Sequence, residues 1–262
     1  MDLGLSGKSV IVTGASRGIG LAVTRALVEE GASVVAVSKG GSVELKALEE
    51  TGKVRAVAAD LTDPHGATEV VEGAIAAFGR LDVLVNNVGA VQPRLGGFLS
   101  VTDDEWHTTL TINLLSAVRM TRAALPRLIE GGGGSIVTVS SVNAVLPDPL
   151  VLDYSAAKAA LSSLSKSLSK EFGPSGVRVN TVSPGPVSTA LWLGEGGVAA
   201  TIAKATGGDP AAIAEQAAGG AVTGRFTTPD EVADLVVFLA GDRAANVTGA
   251  DFTIDGGLVT TL

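Results

Sequence analysis

The chain contains a single tyrosine, Tyr154, four residues before Lys158 in the Ala-rich stretch DYSAAKAAL. On a helix, positions i and i+4 share a face. A free phenol has a pKa near ~10 and is a poor base at neutral pH. An ammonium about 4 Å away, at an effective dielectric of ~20, is worth roughly 4 kcal/mol, or about 3 pKa units before desolvation opposes it. The spacing predicts a phenol able to exchange a proton with a substrate hydroxyl or carbonyl. A bare Y-x-x-x-K pair also fits a half-buried tyrosine at a helix start beside a solvated lysine, and the rest of the chain must decide between the two. A second stretch, VTGASRGIG (12–20), carries Gly14, Gly18 and Gly20. Glycines there let the backbone turn tightly beside a phosphate, and a helix beginning in the turn offers free N–H groups to a pyrophosphate. The spacing is G-x-x-x-G-x-G, which differs from the G-x-G-x-x-G fingerprint.

These residues need elements to hold them. Runs at 8–13, 33–38, 53–59, 82–85, 135–140, 177–183 and 251–255 are short, β-branched and mostly continuously apolar. Such runs fit strands covered on both faces. Helical patterns lie between them, at 18–30, 64–78, 102–129, 154–172 and 229–241. This alternation predicts an α/β fold with parallel strands joined by right-handed crossovers, in one domain spanning 1–262. The glycine turn falls between the first strand and the first helix, where a phosphate site belongs. The exception is 190–225, which is Gly-rich and has no strand pattern. Insertions of that length are usually lids or binding segments. Within it, VAATIAKA and DPAAIAEQAA are candidate short helices.

Taken together, TGASRGIG, NNVG (86–89), Asn113, Ser141, YSAAK (154–158) and PGPVST (184–189) resemble the short-chain dehydrogenase/reductase family, nearest its 3-oxoacyl-carrier-protein reductase and glucose dehydrogenase type members. The likeness runs from Lys8 to Gly257. It implies a doubly wound Rossmann fold, a seven-stranded parallel sheet with helices on both faces, and carbonyl/alcohol oxidoreduction with a nicotinamide cofactor. It implies a catalytic set of Asn113, Ser141, Tyr154 and Lys158. Ser141, thirteen residues before Tyr154, would hold the substrate oxygen; Ser140 is off by one and faces the other side of the strand. The carbonyl side of Asn113 would hold a water linked to Lys158, and Lys158 would bond the nicotinamide ribose. Gly14, Ser16, Arg17, Gly18, Ile19 and Gly20 would take the diphosphate, Asp60 and Leu61 the adenine, and Asn87 and Gly89 the middle of the cofactor. Pro184, Gly185, Val187 and Thr189 would run along the nicotinamide. Asn86 is read as steadying the central strands through backbone bonds. Val88, where the family usually has alanine, is read as a packing change.

The second strand ends in AVSKG. An acidic residue at that end marks NAD, whereas a hydroxyl and cations suit a 2′-phosphate. Ser38, Lys39 and Arg17 therefore point to NADP(H), with NAD(H) possible. Segments 90–101 and 190–225 should wall the substrate pocket, with Leu95, Phe98, Leu191, Trp192 and Leu193 as apolar candidates. No basic cluster awaits a phosphorylated or carrier-linked substrate, which favours an apolar or alicyclic ketone or alcohol. A 3-oxoacyl-thioester reductase, enoyl reduction or epimerisation on the same fold, and a non-catalytic dinucleotide-binding regulator are the alternatives.

Composition narrows the classes further. The net charge is −8 over 262 residues. This argues against nucleic acid as the main partner, because phosphate binding needs clustered Lys and Arg. There is no cysteine, hence no thiol chemistry. His65 and His107 lack a second ligand at metal spacing, so no metal is expected, and Ser141 lacks the histidine motif of a hydrolase. MDLGLSGKSVIVTG does not read as a signal peptide, and apolar runs fall short of the ~20 residues of a membrane span. A soluble, cytoplasmic protein is expected. The helices at 102–129 and 153–173 carry small and apolar residues on more than one face. In the family these pair across a two-fold axis, which implies a homotetramer.

Overall fold

The computed structural model describes Met1–Thr261. Seven parallel strands form one sheet in the order β3-β2-β1-β4-β5-β6-β7. They are β1 (Ser9–Thr13), β2 (Ser33–Ser38), β3 (Val54–Ala58), β4 (Val83–Asn86), β5 (Gly134–Val139), β6 (Val177–Pro184) and β7 (Asp251–Ile254). Each lies within a residue or two of its expected position. Val10 pairs with Val34 on one side and Val83 on the other. The chain therefore reverses its direction of travel across the sheet at the β1–β4 seam, and open α/β sheets bind ligands at such a switch point.

Side chains alternate across the sheet, as period-2 geometry requires. Val10 and Val12 enter a core with helices α1 (Gly18–Glu29) and α10 (Pro229–Ala240), while Ile11 enters the opposite core with α3 (Gly66–Phe78) and α5 (Ser116–Glu130). Each of these fully buried aliphatic side chains contributes roughly 1.5–3 kcal/mol relative to exposure. Both faces are covered, which is why the strands read as continuous apolar runs rather than as alternation.

Three features depart from the sequence pattern. Helix α2 (Val43–Glu49) was not expected: it has one buried residue, Leu45, so it carries no apolar periodicity. Ser42 caps it by accepting from the Leu45 N–H. The long helix expected over 102–129 is divided into α4 (Asp103–Leu110) and α5 by a π-turn over Thr111–Leu115. The 190–225 segment contains α8 (Val198–Thr206) and α9 (Pro210–Gly219) where expected, preceded by a short α7 (Ala190–Leu193). The remaining helix, α6 (Leu152–Phe172), carries Tyr154 and Lys158. Among the described residues no helix is long and apolar enough to cross a membrane.

Candidate active site

A cleft of about 1240 Å³ opens at the carboxyl ends of the strands. Its floor at one end is the β1–α1 turn. Gly14 and Gly18 have φ of +68° and +56°, a conformation that favours glycine. The Ala15 N–H donates to Val37 O, tying the turn to the end of β2. Helix α1 has no side-chain cap and no acidic residue in its first turn, which leaves its first N–H groups available to an anion. Gly14, Ser16, Arg17, Gly18 and Ile19 all border the cleft. Gly20 does not: a Cβ there would lie 2.2 Å from Gly14 O and 2.5 Å from Asn87 Nδ2. Gly20 therefore packs closely beneath the turn.

Ser38, Lys39, Asp60 and Leu61 border the same end. Lys39 Nζ is 2.8 Å from Asp60 Oδ2, and Ser38 Oγ donates to Gly40 O. The Lys39 hydrogen bond, helped by two from Thr62, holds the Asp60 carboxyl at about 2. Two residues expected to meet different parts of a cofactor are thus paired with each other.

The β4 end supplies Asn87, Val88 and Gly89. Asn86 pairs with Thr138 in the β4–β5 ladder, the backbone role expected of it, and Asn87 adds a tie to β1: its Nδ2 donates to Thr13 O at 2.9 Å and its N–H to Thr13 Oγ1. The Asn86 side chain donates to Thr121 Oγ1 in α5. Val88 packs against the α3–α5 core while bordering the cleft.

Ser141, Tyr154 and Lys158 converge in the middle of the cleft. Ser141 lies two residues beyond the end of β5; the Ser140 side chain turns to α6, its Oγ donating to Lys158 O and meeting Ser162 Oγ. Lys158 is 3% exposed, and its Nζ donates to Val139 O and stands 5.6 Å from the Tyr154 ring centroid. Burial pulls the Lys158 ammonium down to about 8. Burial also pushes the Tyr154 phenol up, and the hydrogen bond with Ser141 only partly offsets it. The lowering of the phenol expected from Lys158 does not emerge: burial is the larger influence, and the Ser141 hydrogen bond is what opposes it. Asn113 is buried in the π-turn, outside the cleft. Its Oδ1 accepts from the Ala90 N–H, and its Nδ2 donates to Ala90 O and Thr109 O. The side chain braces the β4 loop, and a Cβ on Gly89 would sit 3.0 Å from Asn113 Oδ1 and 3.5 Å from Lys158 Nζ.

Pro184, Gly185, Val187 and Thr189 line the far wall, followed by Leu191 and Trp192. Trp192 packs against Phe226 with ring centroids 5.6 Å apart and planes tilted by 58°. Leu95, Phe98 and Leu193 do not reach the cleft; Leu95 is 44% exposed. The apolar wall comes instead from Ile202 and Ile213, inside the 190–225 segment expected to wall the pocket, and from four residues that sequence reasoning missed: Leu146, Leu150, Val151 and Leu258. The first three were findable, since a segment joining Ser141 to Tyr154 must border a site built on both. Leu258 gave no local signal; it is brought in by the Thr223 N–H donating to Gly256 O.

The sheet order, the glycine turn at an uncapped helix and the serine–tyrosine–lysine cluster define a dinucleotide-binding dehydrogenase. A family model described as enoyl-(acyl carrier protein) reductase matches residues 14–259. The chain is 36% identical over 259 residues to 3-oxoacyl-[acyl-carrier-protein] reductase FabG of Thermotoga maritima, covering 97% of this chain and 99% of that one. It is 38% identical to D-threitol dehydrogenase of Mycolicibacterium smegmatis, covering 98% and 94%. Among solved structures, L-sorbose reductase from Gluconobacter frateurii, complexed with NADPH and L-sorbose, superposes with a TM-score of 0.91 at 35% identity over the whole of both chains. The chain belongs to the short-chain dehydrogenase/reductase family and is a nicotinamide-dependent carbonyl/alcohol oxidoreductase.

Proposed function

We infer that the protein is an NADP(H)-dependent ketone reductase acting on an apolar or alicyclic carbonyl compound and the corresponding secondary alcohol. The observation that carries this is the meeting of Ser141, Tyr154 and Lys158 in a cleft that also holds the glycine turn. The residues fit the cofactor: the uncapped α1 start suits a diphosphate, and Ser38, Lys39 and Arg17 stand where a 2′-phosphate would lie. The relative solved with NADPH supports the same choice. When bound, the nicotinamide supplies a hydride to the carbonyl carbon. Ser141 Oγ holds the substrate oxygen, and Tyr154 gives it the phenolic proton. Lys158 stabilises the resulting phenolate, which the buried setting otherwise disfavours. Asn113 keeps the Gly89–Ala90 backbone in place beside them.

The six apolar residues of the substrate wall favour an apolar ketone over a sugar. The Thermotoga relative brings 3-oxoacyl-thioester reduction as the second reading, which the apolar wall also admits. The 190–225 segment is a lid over the substrate half of the cleft, and the protein assembles as a cytoplasmic homotetramer. A ketone and alcohol panel followed by nicotinamide absorbance tests the reading. Tyr154→Phe should bind NADPH normally while turnover falls by roughly 10²–10⁴. Near-normal turnover in that variant would remove Tyr154 as the acid/base.

A further inference from the structure

The proton-transfer scheme leaves one buried charge cluster unused. Arg94 lies in the connection between β4 and α4 and is 7% exposed. Its guanidinium donates to Asp153 Oδ2 through Nε at 3.0 Å and Nη2 at 2.6 Å. Nη1 donates to Glu105 Oε1 at 2.7 Å, and Nη2 also reaches Thr109 Oγ1 at 3.3 Å. Asp153 is 1% exposed and directly precedes the catalytic tyrosine. Its Oδ2 accepts from Thr109 Oγ1 at 2.7 Å and its Oδ1 from the Tyr154 N–H at 3.0 Å. The Thr109 carbonyl in turn accepts from Asn113 Nδ2. The Arg94 N–H donates to Leu150 O at 2.6 Å, joining the two loops that border the substrate half of the cleft.

Burial works against the Asp153 carboxylate, yet the Arg94 and Thr109 hydrogen bonds hold it below the usual carboxylate range. Stability does not account for such a cluster. A buried ion pair is often no better than an apolar pair of similar volume. What two guanidinium donors on one carboxylate supply is a fixed geometry. Here that geometry joins α4, the β4–α4 connection and the first turn of α6, the three elements that present Asn113, Gly89–Ala90 and Tyr154.

We propose that Arg94, acting through Asp153 and Thr109, is a positioning residue for Tyr154: it locks the first turn of α6 so that the phenol meets the substrate oxygen. This rests on Tyr154 being the acid/base. The test compares Thr109→Val, the double variant Arg94→Leu/Asp153→Leu and Tyr154→Phe, using the ketone turned over fastest in the panel. The readouts are kcat at saturating ketone and NADPH, NADPH Kd by fluorescence titration, and Tm. The double variant should keep a Tm near wild type, since an apolar pair replaces the ion pair. Its NADPH Kd should stay within about twofold while kcat falls by roughly 10–100-fold, the scale of loss from a misplaced reacting group. Thr109→Val should lower kcat by a smaller factor with Tm unchanged. A double variant that folds with wild-type kcat overturns the proposal. If the double variant does not fold, wild-type kcat in Thr109→Val overturns it. An inactive Tyr154→Phe beside a fully active double variant removes the positioning role alone. A fully active Tyr154→Phe removes the acid/base reading and this proposal with it.

Discussion

Burial lowers the Lys158 pKa from its ordinary value of 10.5 to about 8. Below pH 8 both the folded and unfolded chains carry the proton, and the folded state bears the full cost of a buried ammonium. Between the two values the unfolded chain binds more protons, so stability rises with pH. The wild-type protein should gain roughly 2–3 kcal/mol relative to Lys158→Met between pH 8 and pH 10. Tyr154, shifted upward, acts in the opposite sense only above that window, where the unfolded phenol ionises. Denaturant titrations of both proteins at several pH values measure this, and parallel curves would show that Lys158 is not desolvated. Cofactor choice is a residue-scale matter as well. Ser38→Asp places a carboxylate where the 2′-phosphate would lie, so NADPH should lose its advantage over NADH in direct titrations; an unchanged order would remove Ser38 from the determinants. The residues of this site were legible in the sequence because their spacing along one strand end and one helix is local. Their electrostatics were not: a helix wheel brings Lys158 beside Tyr154, but whether charge or desolvation wins depends on the whole cleft. Gly20 likewise reads as a phosphate glycine, and only the approach of Gly14 O and Asn87 reveals that it is a packing glycine.

At the level of elements, the strands were readable because both faces are buried and each run is uninterrupted. The π-turn at Thr111–Leu115 was not, since one extra residue in a helical turn leaves the apolar pattern almost intact. That turn matters because Asn113 sits in it, bonding Thr109 O and the Ala90 backbone at once. Helix α2, with one buried side chain, left too weak a pattern to read. Helices α7, α8 and α9 border the substrate half of the cleft through Trp192, Ile202 and Ile213. Helix α9 buries no residue fully, so little holds it against opening. Hydrogen exchange across 190–225 should be fast without ligand and should slow with NADPH and ketone bound. Core-level protection that ligands leave unchanged would argue instead for a rigid wall.

For the whole molecule, α6 leaves Ala156, Ala159, Ala160 and Ser163 exposed along one side, small residues that allow a second helix to approach closely. Val145 and Leu99 are among the most exposed apolar side chains. Light scattering at micromolar concentration should report about four times the chain mass of 26.1 kDa; a mass of one chain would refute the tetramer. The strand order has a separate consequence for how the chain is made. Strands β1, β2 and β3 leave the ribosome first and can pair early. The other edge of β1 then stays open until β4, some 70 residues further along the chain from β1, reaches it. Parallel pairings between such distant segments are slow to form, because loop-closure entropy must be lost before any contact rewards it. During that wait the β1 edge is a site for pairing with another nascent chain. The seam that creates the cleft is therefore also the step at which synthesis is most exposed to aggregation, and a nucleotide that binds only across the finished seam raises the yield of folded chains without hastening that first encounter.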